Sequence, residues 1–196
     1  SPYIPNRKGG FILCDAGANA DCKPQHLLQF GLMAEAYIEH LNNLINPKVA
    51  LLNIGSEASK GNELTINTFP LLTKNINNFI GNIESRYIME GKADVVICDG
   101  FTGNIILKLI EGTISHLYNW INFKIVNSNS DNNTLQVKKT LNEITSLLDH
   151  EEYGATPFLG INGVVMKCHG SSSSRAIENS LIATKQTVKE QVVQDI

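Results

Sequence analysis

The sequence has few of the features that mark several common classes of protein. Its 196 residues include four cysteines, without a Cys-x-x-Cys pair, and 16 Lys and Arg against 19 Asp and Glu. A general nucleic-acid binder would carry a basic excess, and no apolar run reaches the ~20 residues of a membrane span. No secretion signal is recognisable. We therefore expect a protein of the reducing cytoplasm with buried, unpaired thiols and no nucleic-acid partner.

Several catalytic and metal-binding motifs are also missing from the sequence. It has no Gly-x-Ser-x-Gly elbow, no His-Glu-x-x-His and no His/Cys cluster with metal-ligand spacing. Neither the P-loop pattern nor Gly-x-Gly-x-x-Gly occurs. Cys168 and His169 are adjacent, but neighbours in a strand point to opposite faces, which argues against a nucleophile–base pair. We expect neither a metal nor a cofactor.

What the chain does contain is an alternation of short apolar runs with amphipathic stretches. The runs predict strands buried on both faces, as in a parallel sheet, and the stretches between them predict helices. Together they indicate one α/β domain over residues 1–196 with right-handed crossovers. The strands are predicted at 11–14, 49–54, 78–80, 93–98 and 163–168, and the helices at 24–41, 62–74, 104–123, 135–150 and 174–193.

Each predicted strand ends in a loop rich in glycine or small polar residues. Ligands of open parallel sheets bind beyond the carboxyl ends of the strands, so these loops are expected to face one cleft. The alternative is that they are ordinary turns, which favour Gly and Asn in any case. The loops cover residues 15–21, 55–63, 81–84, 99–104 and 169–174.

Two of these loops lead directly into a predicted helix. The sequences DGFTGN at 99–104 and HGSSSS at 169–174 would each offer free helix N-terminal amides to a phosphate. For Ser171–Ser174, simple helix capping is the alternative. Trp120 ends an apolar stripe on the 104–123 helix, which indicates either core or an interface.

Charged groups in the other loops allow similar alternatives. Lys60 can reach an anion as a flexible point charge, or it is a solvated surface lysine. Asp15 and Asp99 follow two strands at equivalent places, where they either orient a substrate or cap their turns.

Five segments of the chain together resemble the bacterial phosphate acyltransferases of phospholipid synthesis, the PlsX family. They follow the order and approximate spacing of that family from about Phe11 to the end, and the resemblance is weak only between Thr113 and Glu152. The segments are FILCDAGANADCKPQHLLQF, VALLNIGSEASKGNEL, NFIGNIESR, ADVVICDGFTGNIILKLIEG and YGATPFLGINGVVMKCHGSS.

The resemblance implies a Rossmann-like three-layer α/β/α sandwich with a mainly parallel sheet. It also implies a projecting helical hairpin at about residues 104–150, which serves dimer packing and membrane contact. The family's N-terminal portion, with its DAMGGD-type loop, is missing, so the chain corresponds to the C-terminal part. We expect that part to fold and to be inactive alone.

The resemblance further implies transfer of a long-chain acyl group from acyl carrier protein to inorganic phosphate, giving acyl phosphate for phospholipid synthesis. The implied protein is a cytoplasmic homodimer with peripheral contact at the inner face of the membrane. Lys60 and Asn104 are the implied catalytic residues, on phosphate or on the carbonyl oxygen. The implied substrate-binding residues are Asp15, Asn19, Gly61, Asn62, Glu63, Asp99, Thr102, Gly103, His169 and Ser171.

Three other functions stay open at the level of sequence. A short-chain phosphotransacylase that uses coenzyme A shares the NGVVMKCHGSS ending, although KGNEL and DAGAN favour the long-chain family. A non-catalytic phosphate- or nucleotide-binding module would bind an anion without turnover. A structural or interaction role of the long helices would need no ligand.

Overall fold

A five-stranded sheet forms the centre of the computed structural model, which describes residues 1–6, 8–42, 44–126, 137, 139–141, 155–168, 170 and 172–189. The spatial order of the strands is β1-β2-β5-β3-β4. Only β1 runs antiparallel to its neighbour, and the other three pairings are parallel. The strands are β1 Tyr3–Asn6, β2 Gly9–Cys14, β3 Val49–Asn53, β4 Phe79–Glu84 and β5 Val95–Ile97.

Helices cover both faces of this sheet. Helices α1 (Pro24–Asn42) and α2 (Glu63–Asn75) pack on one face, where Ile12 and Cys14 of β2 point. Alternate residues of a strand point to opposite faces, so Phe11 and Leu13 face the other layer. That layer consists of a 3-10 helix (Ser85–Glu90) and α3 (Gly100–Val126). The predicted three-layer α/β/α sandwich with a mainly parallel sheet is confirmed.

The apolar runs at 11–14, 49–54 and 93–98 all form strands of this sheet. The run at 78–80 is longer than predicted, because β4 continues to Glu84; residues 81–84 are strand and the predicted loop there is wrong. Strand β1 was not predicted, because only Ile4 of its four residues is buried and the segment therefore has no apolar run. Pro5 is tolerated there because β1 lies at the edge of the sheet.

The run at 163–168 does not enter the parallel sheet, which corrects its predicted place. Only Met166–Lys167 forms a strand, β7, and it pairs with β6 (Thr156–Pro157) in a separate antiparallel ladder. The apolar side chains before β7 line a small cavity against Tyr37 of α1 and Thr187 of α4 (Ser174–Lys189). They line this cavity without joining the sheet, and Ile161 and Val165 stay exposed.

The predicted helices at 24–41, 62–74 and 174–193 are confirmed as α1, α2 and α4, the last as far as Lys189. Helix α3 begins at Gly100, four residues before the predicted start. The predicted helix at 135–150 falls mostly outside the described residues, so the hairpin and the single-domain boundary stay predictions.

The apolar stripe on α3 is exposed. Trp120 is 75% exposed, and Phe101, Leu109 and Phe123 are also largely open to solvent. The opposite side of α3 packs on the sheet through Ile106, Leu107 and Ile110, so the interpretation of the Trp120 stripe as core is wrong. Among the described helices, none combines the length and the apolar character required to cross a lipid bilayer.

Candidate active site

Three of the predicted loops leave the same edge of the sheet. The strands β2, β5 and β3 are consecutive neighbours and run parallel, so the segments after Cys14, Ile97 and Asn53 emerge side by side. These segments carry, in the same order, DAGAN (residues 15–19), DGFTGN (residues 99–104) and Lys60. The carboxyl edge of the sheet is therefore the candidate site, with three of the five predicted loops beside one another.

The loop after β2 is organised around the carboxylate of Asp15. This residue is only 6% exposed. One carboxylate oxygen accepts hydrogen bonds from the amides of Gly17 and Ala18, both at 3.1 Å. The other accepts from the Asn19 amide at 2.6 Å and from Asn19 Nδ2 at 3.0 Å. With both oxygens occupied twice, the geometry favours a role for Asp15 in shaping the loop over direct contact with a substrate.

The pKa of Asp15 reflects the same hydrogen bonds. Burial by itself raises the pKa of this carboxyl, but the hydrogen bonds from Ala18 and Asn19 outweigh burial and hold the pKa below its usual value. The charged form is thus favoured in the folded protein. The ionised side chain stabilises the conformation of the DAGAN loop by accepting hydrogen bonds from its amides.

This loop interlocks with the start of α3. The Gly100 amide donates to Asn19 O at 2.8 Å. A Cβ on Gly103 would overlap the backbone carbonyl of Asp15, so only glycine allows this approach. Asn104 is exposed, and its side-chain oxygen would lie 3.3 Å from a Cβ on Gly17. Asn104 is therefore presented to solvent at the junction of the two loops.

The N-terminus of α3 is capped by the protein itself. Asp99 accepts from the Thr102 amide and from Thr102 Oγ1, both at 2.8 Å, and its backbone oxygen accepts from the Gly103 amide at 2.9 Å. The expectation of free amides for a phosphate is therefore wrong for Gly100, Thr102 and Gly103. A carboxylate already faces the positive end of the helix dipole.

The loop after β3 presents Lys60 on a short turn. The Lys60 amide donates to Glu57 O at 3.0 Å. The aliphatic stem of Lys60 lies over Gly55, where a Cβ would come within 2.9 Å of Lys60 Cγ. Lys60 is exposed, and no described carboxylate lies within ion-pairing distance of its ammonium group. The structure thus places the exposed ammonium group of a lysine at the carboxyl edge of the sheet.

The residues that follow Lys60 begin helix α2. Gly61 adopts a φ of +102°, which an L side chain rarely tolerates. Asn62 is the N-cap, and its side chain accepts from the Thr65 amide at 2.9 Å. Glu63 is exposed in the first turn, where its charge suits the helix dipole. Of these predicted binding residues, Asn62 has a clear structural task.

Sequence reasoning missed two asparagines beneath the Lys60 turn. Asn53 ends β3 and donates to Lys60 O at 2.9 Å, and Asn82 of β4 donates to Glu57 O at 2.8 Å. A polar residue at the end of the apolar run VALLN could have pointed to Asn53, and Asn82 lies in the segment 81–84 that was predicted as a loop without a role for this residue. The predicted binding residues His169 and Ser171 lie outside the described residues, and their roles stay predictions.

The described residues contain no group of three or more His, Cys, Asp and Glu side chains that could hold a metal ion. The polar groups at this edge include Lys60, the side-chain amide of Asn104 and the carboxylates of Asp15 and Asp99, whose partners are internal to their loops. Such a set can bind and orient an anion beside a carbonyl group.

The charge on Asp15 is expected to stabilise the fold above about pH 4, the ordinary pKa of Asp. Because its folded pKa is lowered, this contribution is present above the unfolded pKa and is lost as the pH falls through the folded value. Asp15→Asn should lower the free energy of unfolding at pH 7 by ~1–2 kcal/mol. Urea unfolding of both proteins between pH 3 and pH 7 should show the difference narrowing below pH 4.

Glu35 provides a control of opposite sign for that experiment. Burial, and then the neighbouring charge of Glu39, raise the pKa of Glu35, so its ionised form opposes folding and stability falls as the pH rises past the unfolded pKa. Glu35→Gln should therefore stabilise the protein at pH 7 and have less effect at pH 3. Identical pH profiles for the wild type and Asp15→Asn would contradict the role assigned to Asp15.

The fold and the loops define a Rossmann-like α/β protein whose candidate site lies at the carboxyl edge of the sheet. The family model described as fatty acid synthesis protein matches residues 1–195, and the chain belongs to this family. This confirms the resemblance found in the sequence.

The relatives found for the chain are phosphate acyltransferases. The chain is 46% identical over 195 residues to that of Desulfitobacterium hafniense (strain DSM 10664 / DCB-2), covering 98% of this chain and 58% of the relative. It is 46% identical over 196 residues to that of Halothermothrix orenii, with 97% and 58% covered. For Thermodesulfovibrio yellowstonii the identity is 47% over 190 residues, with 96% and 55% covered. The chain thus spans a little over half the length of these relatives.

Proposed function

We propose that this chain belongs to an acyltransferase that moves a long-chain fatty acyl group from acyl carrier protein to inorganic phosphate. The product would be an acyl phosphate for phospholipid synthesis. The observation that carries the proposal is the Lys60 ammonium, which has no ion-pair partner among the described residues and stands on a turn at the carboxyl edge of the sheet. The family membership and the names of the relatives support the reaction class.

The chemistry requires few groups from the protein. An oxygen of hydrogen phosphate attacks the thioester carbonyl carbon, a C–O bond forms, and the C–S bond breaks. The proton of hydrogen phosphate ends on the departing sulfur, so atoms and charge balance. A thiolate leaves readily, since thiol pKa values lie near 8.5. What the protein supplies is orientation of the two reactants and stabilisation of the oxyanion.

Lys60 and Asn104 suit these two tasks. A lysine ammonium neutralises the charge of phosphate as a point charge. The side-chain amide of Asn104 can donate to the carbonyl oxygen as negative charge develops on it. Their loops follow the neighbouring strands β3 and β5. Direct attack by phosphate needs no nucleophile from the protein.

The thiols near the site support direct attack over a cysteinyl intermediate. Burial raises the pKa of Cys14 to about 11 and that of Cys98 well above its ordinary value. Burial also raises the pKa of Cys22, on the loop beside Asn19. A thiolate, the form that attacks a carbonyl carbon, is therefore disfavoured at all three positions.

A hydroxylamine trap for acyl phosphate tests the proposal. The complete gene product and this chain alone would each be incubated with phosphate and either long-chain acyl carrier protein or short-chain acyl coenzyme A. Phosphate-dependent product from the carrier-protein thioester supports the long-chain reaction. Product only from the coenzyme A donor would indicate a short-chain phosphotransacylase. Anion binding without product from the complete gene product would indicate a binding module.

We also propose that the protein is a cytoplasmic homodimer that contacts the inner face of the membrane peripherally. An apolar stripe on α3 is exposed in one copy of the chain, and a stripe of this kind favours burial against a partner. It consists of Phe101, Leu109, Trp120 and Phe123. A second copy of the chain is the occupant that the family resemblance implies. Cosedimentation with anionic vesicles tests the membrane contact.

The single tryptophan makes the dimer proposal directly measurable. Trp120 is 75% exposed in one copy of the chain, so its burial between two copies should shift its fluorescence emission to shorter wavelength as the protein concentration rises. Leu109→Asp, on the same stripe, should abolish the shift and leave a monomer in sedimentation velocity. A solvent-exposed emission maximum at every concentration would contradict the dimer.

A further inference from the structure

We propose that Asn53 and Asn82 are positioning residues, which fix the turn that carries Lys60 and so determine where its ammonium meets an anionic substrate. The proposal rests on the function assigned to Lys60 and extends it to two residues that hold the backbone of the turn on which Lys60 stands. It is carried by the hydrogen bonds of the turn from Glu57 to Lys60, referred to below as the lysine turn.

Asn53 holds one end of the lysine turn. It is the last residue of β3 and is only 9% exposed. Its Nδ2 donates to Lys60 O at 2.9 Å, and its Oδ1 accepts from the Ile54 amide at 2.8 Å. The donor and the acceptor of this buried amide therefore both bond to the loop backbone. The hydrogen bond to Lys60 O connects the lysine turn to the end of a central strand.

Asn82 holds the other end of the lysine turn. It lies on the neighbouring strand β4, opposite Leu51 of β3, and its Nδ2 donates to Glu57 O at 2.8 Å. The same carbonyl oxygen accepts from the Lys60 amide. In the part of the chain that the structure describes, Asn82 Oδ1 is buried without a partner. An unpaired buried oxygen is unfavourable. The Asn82 side chain nevertheless keeps the orientation in which its Nδ2 donates to Glu57 O.

Close packing leaves the lysine turn little freedom to move. The Lys60 stem lies over Gly55, and a Cβ on Gly61 would come within 2.5 Å of Asn53 Oδ1 and would also overlap Thr65 Oγ1. The turn is thus seated directly on Asn53, with glycines where side chains would separate them. Two adjacent strands and two tight contacts together define its position.

The consequence for catalysis follows from the small number of groups that act. When orientation supplies most of the rate, a displacement of ~1 Å can cost on the order of 10²-fold. Removing either amide would let the lysine turn move while leaving the ammonium chemically intact. The effect should appear in kcat/KM for phosphate, and it should depend on the presence of Lys60.

A double-mutant cycle in the complete gene product tests this dependence. Asn53→Ala and Asn82→Ala are each expected to lower kcat/KM for phosphate by about 10- to 100-fold. In the Lys60→Ala background, each should lower it by less than about twofold, because the residues act through Lys60. Asn78→Ala is the matched control: Asn78 Nδ2 donates to Asn46 O at 2.7 Å, at the opposite edge of the sheet, and its loss should leave kcat/KM unchanged.

A second measurement is independent of turnover and uses this chain alone. Amide ¹⁵N relaxation should show order parameters of residues 57–61 falling from about 0.85 to below about 0.6 in Asn53→Ala and Asn82→Ala. Asn78→Ala should leave them unchanged. Asn82 lies in a less central strand, so its variant serves if Asn53→Ala fails to fold.

The outcomes separate the proposal from the function beneath it. Equal losses of kcat/KM with and without Lys60 would show a merely structural role and overturn the proposal, as would unchanged order parameters. If the wild type forms no acyl phosphate, the proposed function fails, and the relaxation data alone then decide whether the two asparagines hold the lysine turn.

Discussion

Replacing Lys60 with alanine is expected to lower phosphate-dependent formation of acyl phosphate by about 10²- to 10³-fold, the usual effect of removing one preorganised group that stabilises developing charge. Lys60 lies on the loop after β3 with its stem over Gly55, and no carboxylate in the part of the chain that the structure describes forms an ion pair with it. Without the Lys60 ammonium, neither the negative charge of phosphate nor the charge that develops on the carbonyl oxygen is neutralised by a nearby cation. The hydroxylamine assay on the complete gene product measures the loss.

Two variants sharpen this experiment. Lys60→Arg keeps the charge, but a planar guanidinium on a longer side chain places it differently, so we expect only partial activity. Lys74→Ala removes a lysine in the last turn of α2, at the other end of the helix that follows the loop, and should have no effect. Equal activities of Lys60→Ala and Lys74→Ala would remove Lys60 from the mechanism.

Gly103→Ala is expected to destabilise the protein by about 3 kcal/mol, at the upper end of the usual overpacking range. The added methyl group would overlap the backbone carbonyl of Asp15 and lie 2.9 Å from Cys98 Sγ. A backbone group cannot rotate away as a flexible side chain can, so α3 and the DAGAN loop would have to separate. Urea unfolding at pH 7 measures the change in free energy.

Gly112→Ala is the matched control, because it is the same substitution in the same helix. A Cβ on Gly112 meets nothing within 4 Å in one copy of the chain, so in the monomer only helix propensity changes, and a gain of up to ~1 kcal/mol is expected. The two variants should therefore shift stability in opposite directions. A stable Gly103→Ala protein would mean that the two loops are not interlocked as described.

The fold could be predicted from the sequence wherever burial on both faces leaves a continuous apolar run. Strands β2, β3 and β5 are of this kind. Strand β1 could not be predicted, because an edge strand with one buried residue has no such pattern. The run at 163–168 has the same apolar pattern but lies outside the sheet, where it lines a small cavity with residues of α1 and α4 and leaves Val165 exposed.

The candidate site could be predicted as far as motifs extend. Lys60 and Asn104 were assigned by resemblance, and the sequence alone located their loops at one edge of the sheet. Hydrogen-bond partners require coordinates, so the sequence left capping by Asp99 as one of two alternatives and did not indicate the two amides beneath Lys60. An aspartate before a helix is compatible with both roles, and only the hydrogen bonds from Thr102 identify Asp99 as the cap.

The buried thiols that end β2 and follow β5 have a further practical consequence. Cys14 and Cys98 are both 3% exposed, and the Cys98 amide donates to Cys14 O across the two strands. A small alkylating reagent can reach them only when this part of the sheet opens. Their alkylation rates, followed by mass spectrometry under native conditions, therefore report how often the centre of the protein opens. Because both cysteines are native, no residue has to be substituted for this measurement.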